Sequence, residues 1–238
     1  VRASVNHRLN PDVEALVLAG AADIDGEGNA SANAVTGNAG SNRLSGGAGD
    51  DTLDGGPGGA DTLHGGEGDD VFHVRGADDV VVEWAGQGRD TVVADVGPAG
   101  HHVLAPHVEG LVLAGATARG TGNDLANRIE GNGFGNTIQG GAGDDTLLGG
   151  GGDDVLHGGA GADLFVFDPG MGFDRIADFE PGVDRLLLRG LGVSGFAQFL
   201  AAAADGAGGA SIDFGGGQRL LLESVSEARL GAADLLFG

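Results

Sequence analysis

The chain has 238 residues, of which 51 are glycine and none is cysteine, and its acidic residues outnumber the basic ones 35 to 12, for a net charge of −23. That balance excludes proteins that bind nucleic acid or anionic membranes through charge, and the lack of cysteine excludes disulfides and thiolate metal sites. The chain has no run of about 20 apolar residues, which is the length that a helix needs to span a bilayer.

A long repeat organises the chain from its first residues. VEALVLAG at Val13–Gly20 returns as VEGLVLAG at Val108–Gly115, and the opening Val1–Val5 resembles Thr91–Val96. We therefore expect the chain to start within a repeat and to be part of a longer protein. The predicted segments are a partial leading β unit (1–27), a first repeat block (28–76), a β-coil spacer (77–121), a second repeat block (122–166) and a C-terminal cap (167–238).

Both blocks follow a nine-residue period of Gly-Gly-x-Gly-x-Asp-x-(large apolar)-x. The first block reads GGAGDDTLD from Gly46, GGPGGADTLH with one extra residue from Gly55, and GGEGDDVFH from Gly65. The second reads GGAGDDTLL from Gly140, GGGGDDVLH from Gly149 and GGAGADLFV from Gly158. A fixed short period is typical of a coil that rises by one unit per repeat.

Position eight of each unit predicts a short strand that points one large apolar side chain inward. These residues are Leu53, Leu63, Phe72, Leu147, Leu156 and Phe165. The six residues before them must turn tightly through positive φ angles, which glycine tolerates at little cost. Two units then close one coil of 18 residues, and turns two units apart stack at the parallel-strand spacing of about 4.8 Å.

Such a coil is poorly stabilised by its own residues. Two carboxylates about 5 Å apart repel by about 3 kcal/mol at an effective dielectric constant of 20. One inward Leu contributes about 1.5–3 kcal/mol, whereas ordering each backbone residue costs about 1–2 kcal/mol. Because calcium–oxygen bonds are about 2.3–2.6 Å long, an ion midway between stacked turns reaches both. Metal binding and folding should therefore be one event.

The repeats resemble those of the RTX parallel β-roll family, secreted bacterial proteins that type I systems export. The resemblance implies an all-β, right-handed parallel β-roll or β-helix, several Ca²⁺ ions, the type I secretion apparatus as a partner and an extracellular location. In that family each ion takes the carbonyls of positions one and three and the position-five side chain of one turn. The turn two units later supplies the carbonyls of positions two and four and the position-six Asp.

Carried over residue by residue, this pattern gives two best-filled sites, which pair Asp50 with Asp70 and Asp144 with Asp163. A further candidate site pairs Asp153 with Asp174, because PGMGFDRI at Pro169–Ile176 keeps the turn spacing. The carbonyls expected at these sites belong to Gly46, Ala48, Gly66, Gly68, Gly140, Ala142, Gly149, Gly151, Gly159, Gly161, Gly170 and Gly172. The alternative is that the aspartates only cap turns.

Four more aspartates, Asp51, Asp61, Asp145 and Asp154, hold position six in turns whose earlier partner is degenerate. The degenerate turns begin at Gly28, Gly37, Gly122 and Gly131 and carry Asn33, Asn42, Asn127 and Asn136 at position six. Asparagine keeps the turn but brings no charge. We therefore expect weak or empty sites beside these turns, where simple turn capping is the stronger alternative.

After Val166 the repeat relaxes, and residues 167–238 are expected to cap the open coil and to carry the type I export signal. Ser194 is a predicted N-cap for a short helix, FAQFLAAAA, which should end near Asp205. The segment ASIDF–GGG–QRLLLE predicts a β-hairpin.

Catalytic residues are not apparent in the sequence. The only histidine cluster, His101, His102 and His107, lies in a Pro-flanked spacer whose sequence carries no metal-site signature, and the residues around Ser194 do not form a nucleophile elbow. We expect no enzymatic activity from these residues themselves. The alternative function is a non-catalytic tail of a secreted enzyme, an epimerase, a lyase or a metallopeptidase, that holds an anionic polysaccharide through arginines such as Arg43, Arg75 and Arg128. The single Trp, Trp84, and the absence of Tyr disfavour sugar stacking.

Overall fold

A computed structural model describes all residues from Val1 to Gly238. The chain divides into two compact units, Val1–Gly115 and Ala116–Gly238. Short parallel strands dominate both units, and there is one α-helix. No helix has the length and apolar character that crossing a membrane requires. The predicted all-β parallel coil is confirmed.

The first unit contains two parallel sheets. Its strands are β1 (Arg2–Ala3), β2 (His7–Arg8), β3 (Ala15–Leu18), β4 (Gly26–Glu27), β5 (Ala34–Thr36), β6 (Arg43–Ala48), β7 (Thr52–Asp54), β8 (Thr62–Glu67), β9 (Val71–Val74), β10 (Val80–Val82), β11 (Thr91–Ala94), β12 (His101–Val103) and β13 (Gly110–Leu113). One sheet has the order β1-β3-β5-β7-β9-β11-β13, and the other β10-β8-β6-β4-β2. Strands consecutive in sequence therefore alternate between the sheets, as in a coil with one strand on each side.

The second unit repeats this arrangement and adds an antiparallel end. Its elements are β14 (Arg119–Thr121), β15 (Arg128–Glu130), β16 (Thr137–Ala142), β17 (Thr146–Leu148), β18 (Val155–Ala160), β19 (Leu164–Phe167), β20 (Phe173–Ile176), β21 (Arg185–Leu188), α1 (Phe196–Ala202), β22 (Ala203–Gly206), β23 (Gly209–Gly215), β24 (Gln218–Glu223), short 3-10 turns at Glu227–Arg229 and Ala232–Asp234, and β25 (Leu235–Phe237). The strand orders are β15-β17-β19-β21-β25 and β14-β16-β18-β20-β24-β23-β22.

The pairing register confirms that two repeats close one coil. Leu53 pairs with Val35 on one side and Phe72 on the other, while Leu63 pairs with Leu44. All six predicted position-eight side chains are completely buried. The core is thus a pair of apolar columns, one from each sheet, with little apolar area per residue.

The spacer continues the coil, as predicted. Val81 of β10 pairs with Leu63, and Val92 of β11 pairs with Phe72 and with Leu111 of β13. These valines take the inward place of position eight, although the Gly-Asp spacing around them is irregular.

The C-terminal cap contains the predicted hairpin, since β23 and β24 pair antiparallel. The helix prediction was wrong at both ends. Gly195 is the N-cap, because the Ser194 hydroxyl is instead bonded to Gln198 Oε1 at 3.0 Å. The helix stops at Ala202, because residues 203–206 pair with β23 and leave the helical conformation despite their alanines.

Candidate metal sites between stacked turns

The position-six side chains form a ladder along each block. Oδ1 of Asp70 accepts the backbone N–H of Asp51 at 2.7 Å, and Oδ1 of Asp163 accepts that of Asp145 at 2.9 Å. Asp174 does the same for Asp154 at 3.0 Å. Each side chain therefore reaches back to the turn one coil earlier.

The position-five side chains form a second ladder in the opposite direction. Oδ1 of Asp50 accepts the N–H of Asp69 at 2.9 Å, and Oδ1 of Asp144 accepts that of Ala162 at 2.8 Å. Asp153 accepts the N–H of Phe173 at 2.9 Å. Each of these carboxylates reaches forward to the next coil.

The two ladders meet in the same gaps between turns. The turn with Asp50 lies beside the turn with Asp70, and the pairs Asp144–Asp163 and Asp153–Asp174 are arranged in the same way. Backbone pairing also places the turns that hold the expected carbonyls side by side, with Ala48 opposite Glu67 and Ala142 opposite Ala160. The structure thus brings together both carboxylates of every pair predicted from the sequence.

The free oxygens of the position-six carboxylates fit a cation. In six of the seven predicted position-six aspartates, Oδ2 is buried without any hydrogen-bond partner: Asp51, Asp70, Asp145, Asp154, Asp163 and Asp174. A buried, unpaired carboxylate oxygen is costly, and oxygen is the ligand that calcium prefers. No three His, Cys, Asp or Glu side chains are grouped to hold a metal alone, so backbone carbonyls would have to complete each shell.

Burial disfavours the charged form of these carboxylates. It raises the pKa of Asp51 and Asp154 to about 6 and that of Asp145 to about 7. The pKa of Asp174 rises to about 8, first through burial and then through the charges of Asp154 and Asp153. A bound cation would reverse this shift by supplying the missing positive charge.

In the asparagine turns, the side-chain amides form hydrogen bonds through both their oxygen and their nitrogen atoms. Oδ1 of Asn33 accepts the N–H of Asn29 at 2.7 Å, and Oδ1 of Asn29 accepts that of Ser31 at 2.9 Å. Nδ2 of Asn29 donates to the carbonyls of Asn10 and Val13, both at 2.8 Å. The turns at Gly37, Gly122 and Gly131 share the Gly-Asn-x-x-x-Asn sequence and the same two Oδ1 bonds. Amide groups here occupy the positions where the aspartate turns leave a free oxygen.

Glycine at position one makes room for the carboxylate. A Cβ on Gly46 would collide with Oδ2 of Asp51, and one on Gly149 with Oδ2 of Asp154. At position two, Gly66 has φ of 113°, which only glycine adopts readily. The repeat therefore needs glycine both for the turn and for the space beside the carboxylate.

Sequence reasoning did not assign every carboxylate of the ladders. Asp90 accepts the N–H of Asp70 at 2.9 Å, and Asp184 accepts that of Asp163 at 3.0 Å. Asp69 reaches forward to Arg89, and Asp79 accepts the N–H of Asp61. The available signal was an Asp directly before an apolar strand, as in GRDTVV and VDRLLL, without the glycine spacing of the regular turns.

Two of the three candidate arginines for a uronate are paired within the chain. Arg75 forms a two-point ion pair with Asp54 (2.9 and 2.7 Å), and Arg128 pairs with Glu130 at 2.5 Å. Arg43 lines an open pocket of about 580 Å³ together with His7, Arg8 and Glu27.

The comparisons with known proteins agree with this reading of the turns. Residues 27–58, 58–82 and 130–165 match the family model of the RTX calcium-binding nonapeptide repeat, in 4 copies. A search of curated proteins found no match to the chain.

Two solved structures are similar to parts of the chain. The extracellular lipase LipA from Serratia marcescens is 19% identical, with a TM-score of 0.36, over 96% of this chain and 41% of the lipase. A subunit of the mannuronan C5-epimerase from Azotobacter vinelandii is 29% identical, with a TM-score of 0.25, over 48% of this chain and 78% of the subunit. The chain thus spans less than half the length of the lipase.

Proposed function

We propose that this chain, whose repeats are RTX calcium-binding nonapeptide repeats, is a module of a secreted protein that folds when calcium binds outside the cell. The observation that carries the proposal is the buried, unpartnered Oδ2 of the position-six aspartates. These oxygens occur in six of the seven position-six aspartates, all but Asp61, so their cost accumulates along each block unless cations neutralise it.

Calcium is the cation that suits these turns. The available donors are carboxylates and backbone carbonyls, which are hard oxygen ligands, and the chain has no cysteine. Irregular turns can also adapt to the six to eight ligands that calcium takes. Binding would convert self-repelling carboxylates into the main contacts between coils, which couples the metal to folding.

Export is the context in which this coupling is useful. A chain with a net charge of −23 and little core per coil would stay extended where free calcium is scarce and fold where calcium is abundant. The C-terminal cap supports this role, because β20 pairs with β18 and β21 with β19, which covers the last regular coils. β24 and β25 then pair with β20 and β21. We assign residues 167–238 to the cap and to the type I export signal.

Far-ultraviolet circular dichroism of the isolated chain with calcium and with excess chelator tests the proposal. We expect a largely disordered spectrum in chelator and a cooperative gain of β-structure on adding calcium, with magnesium as the control ion. A β-spectrum that persists unchanged after complete removal of calcium would contradict the proposal.

A further inference from the structure

The coil that follows the first repeat block is irregular at a buried carboxylate, Glu83. Because Val81 pairs with Leu63, Glu83 follows in the register of Gly65, where a regular turn would have glycine. The segment Glu83–Asp90 has two residues more than the regular six-residue turn but returns to register at Asp90, which accepts the N–H of Asp70. A long acidic side chain therefore stands at position one.

Glu83 points into the turn below it. Its side chain is 6% exposed, and Oε1 accepts the N–H of Gly65 at 2.8 Å. Oε2 is buried and has no partner. A Cβ placed on Gly65 would collide with Oδ2 of Asp70 and lie 2.5 Å from Oε1 of Glu83, so these two carboxylates share one small space.

No positive group balances this space. Asp70, Glu83 and Asp90 each have one buried oxygen without a partner, and none of them takes part in an ion pair. Burial, followed by the charge of Asp90, raises the pKa of Glu83 to about 7. Three buried carboxylates without a cation are strongly unfavourable, so they must take up protons or a metal.

The second unit offers a matched counterpart without these features. Asp178 stands over Gly158 as Glu83 stands over Gly65, and its Oδ1 accepts the N–H of Gly158 at 3.0 Å. Its Oδ2 accepts the N–H of Gly159 at 3.1 Å, and its side chain is 35% exposed. Asp178 thus uses both oxygens as a partly exposed turn cap, whereas the longer Glu83 leaves one oxygen free inside.

We propose that Glu83 is an additional side-chain ligand for a divalent cation bound at Asp70, which gives the end of the first block a site with one carboxylate more than any regular turn. The family match ends at residue 82 and does not include this ligand. The inference rests on the proposed calcium function, because it adds a ligand to one of those sites. The extra carboxylate should make this the tightest calcium site of the chain and the first to fill.

The test uses the full chain and three variants: Glu83→Gln, which keeps the oxygen that accepts from Gly65, Asp178→Asn as the matched control, and Trp84→Phe. Calorimetric titration with CaCl₂ should show that Glu83→Gln weakens the tightest binding phase about tenfold or more. Asp178→Asn should leave that phase unchanged. Terbium bound beside the only tryptophan, Trp84 (63% exposed), should luminesce through it in the native chain. The signal should be lost in Trp84→Phe and weakened in Glu83→Gln.

The outcomes separate the two proposals. If the native chain does not bind calcium, the proposed function fails. If the native chain binds calcium and Glu83→Gln shows the same or tighter binding at its tightest phase, Glu83 is a protonated cap and only the present inference is overturned. A general folding defect in Glu83→Gln would appear as a lower β-signal at saturating calcium, and unchanged terbium affinity in the folded fraction would also overturn it.

Discussion

The backbone N–H of Asn33 donates to Oδ1 of Asp51 at 2.7 Å, and the N–H of Asp51 donates to Oδ1 of Asp70 at the same distance. Both ends of the Asn33 side-chain amide form hydrogen bonds, whereas Asp51 and Asp70 each leave Oδ2 buried and unpartnered. The ladder therefore changes, at a single coil boundary, from turns whose side-chain amides are hydrogen-bonded to turns that leave one carboxylate oxygen unpartnered. The second block repeats this change from Asn127 to Asp145 and Asp163.

Replacing a position-six residue should weaken calcium binding most where the stacked turn also supplies a carboxylate, and least where no full turn lies beneath it. Asp163→Ala removes a carboxylate from a gap that also contains Asp144 and should raise the calcium midpoint of folding about tenfold or more. Asp145→Ala should do so less, because position five beneath it is Ala126. Asn127→Ala should shift the midpoint least.

Calcium titrations followed by circular dichroism measure this order, and Asp70 and Asp51 should repeat it in the first block. Asn127→Ala should instead lower the free energy of unfolding at saturating calcium by about 1–3 kcal/mol, since it removes the Oδ1 that accepts the partly buried N–H of Asn123. Equal midpoints for Asp163→Ala and Asn127→Ala would show that the two-unit stacking does not set the calcium sites.

In the absence of calcium, backbone amides in the asparagine turns should be better protected from hydrogen exchange than those in the aspartate turns. In excess chelator, the amides of Asn29 and Asn38 should exchange hydrogen more slowly than those of Asp51 and Asp70, because only the former turns lack an unpaired carboxylate. Hydrogen exchange read by NMR tests this. Asn33→Asp places a charge in the turn and should abolish the protection in chelator. Uniform exchange along both kinds of turn would contradict the expectation.

Acid should partly replace calcium. The pKa of Asp70 and Asp145 rises to about 7 and that of Asp174 to about 8 in the folded chain, whereas an unfolded Asp titrates near about 3.9. The folded state therefore binds protons more tightly, so its stability without metal is greatest below about pH 4 and is lost as the pH rises through 6–8.

In chelator, circular dichroism should accordingly show more β-structure at about pH 5 than at about pH 8. Calcium affinity should fall over the same range, because protons compete for the carboxylates. Asp174→Asn keeps an Oδ1 acceptor for Asp154 but removes the titrating group, so it should make folding in chelator less dependent on pH. If the chain in excess chelator lost β-structure on acidification, the proposed role of the buried carboxylates would be wrong.

Residues 167–238 should be needed for calcium-induced folding. Removing them takes away Asp174 and Asp184, whose Oδ1 atoms accept the N–H groups of Asp154 and Asp163, and exposes the edges of β18 and β19. A chain that ends at Val166 should show a higher calcium midpoint, or should self-associate. Ending the chain at Val225 keeps both aspartates and should cost less. The cap is dispensable if the Val166 truncation folds as a monomer at the native midpoint.

A methyl group at position one should impair a calcium site through lack of space alone. A Cβ on Gly149 would overlap Oδ2 of Asp154, whereas one on Gly133 meets no atom within 4 Å. Neither glycine has a positive φ angle, so backbone strain does not contribute to the difference between the two variants. Gly149→Ala should destabilise the calcium-bound chain by about 1–3 kcal/mol, and Gly133→Ala should be nearly neutral. Similar unfolding midpoints at saturating calcium would count against this role of glycine.

The coil and its register could be predicted from the repeat spacing alone. The nine-residue spacing placed Leu53 opposite Phe72, because a fixed period with two units per coil leaves one geometric solution. The pairing of carboxylates such as Asp50 and Asp70 was instead implied by the resemblance to the RTX family. The hairpin of β23 and β24 was equally local, since a glycine turn between two apolar strands encodes it.

The points at which the period breaks depend on contacts between residues far apart in the chain. Helix α1 ends at Ala202 because the next residues find β-partners in β23, which no local propensity predicts. Glu83 becomes a buried carboxylate over Gly65 because β10 pairs with β8 in regular register, which puts Glu83 at position one. The side-chain amides of Asn29 and Asn33 donate to carbonyls of the preceding coil. These contacts join residues that are distant along the chain, and spacing within one repeat carries no information about them.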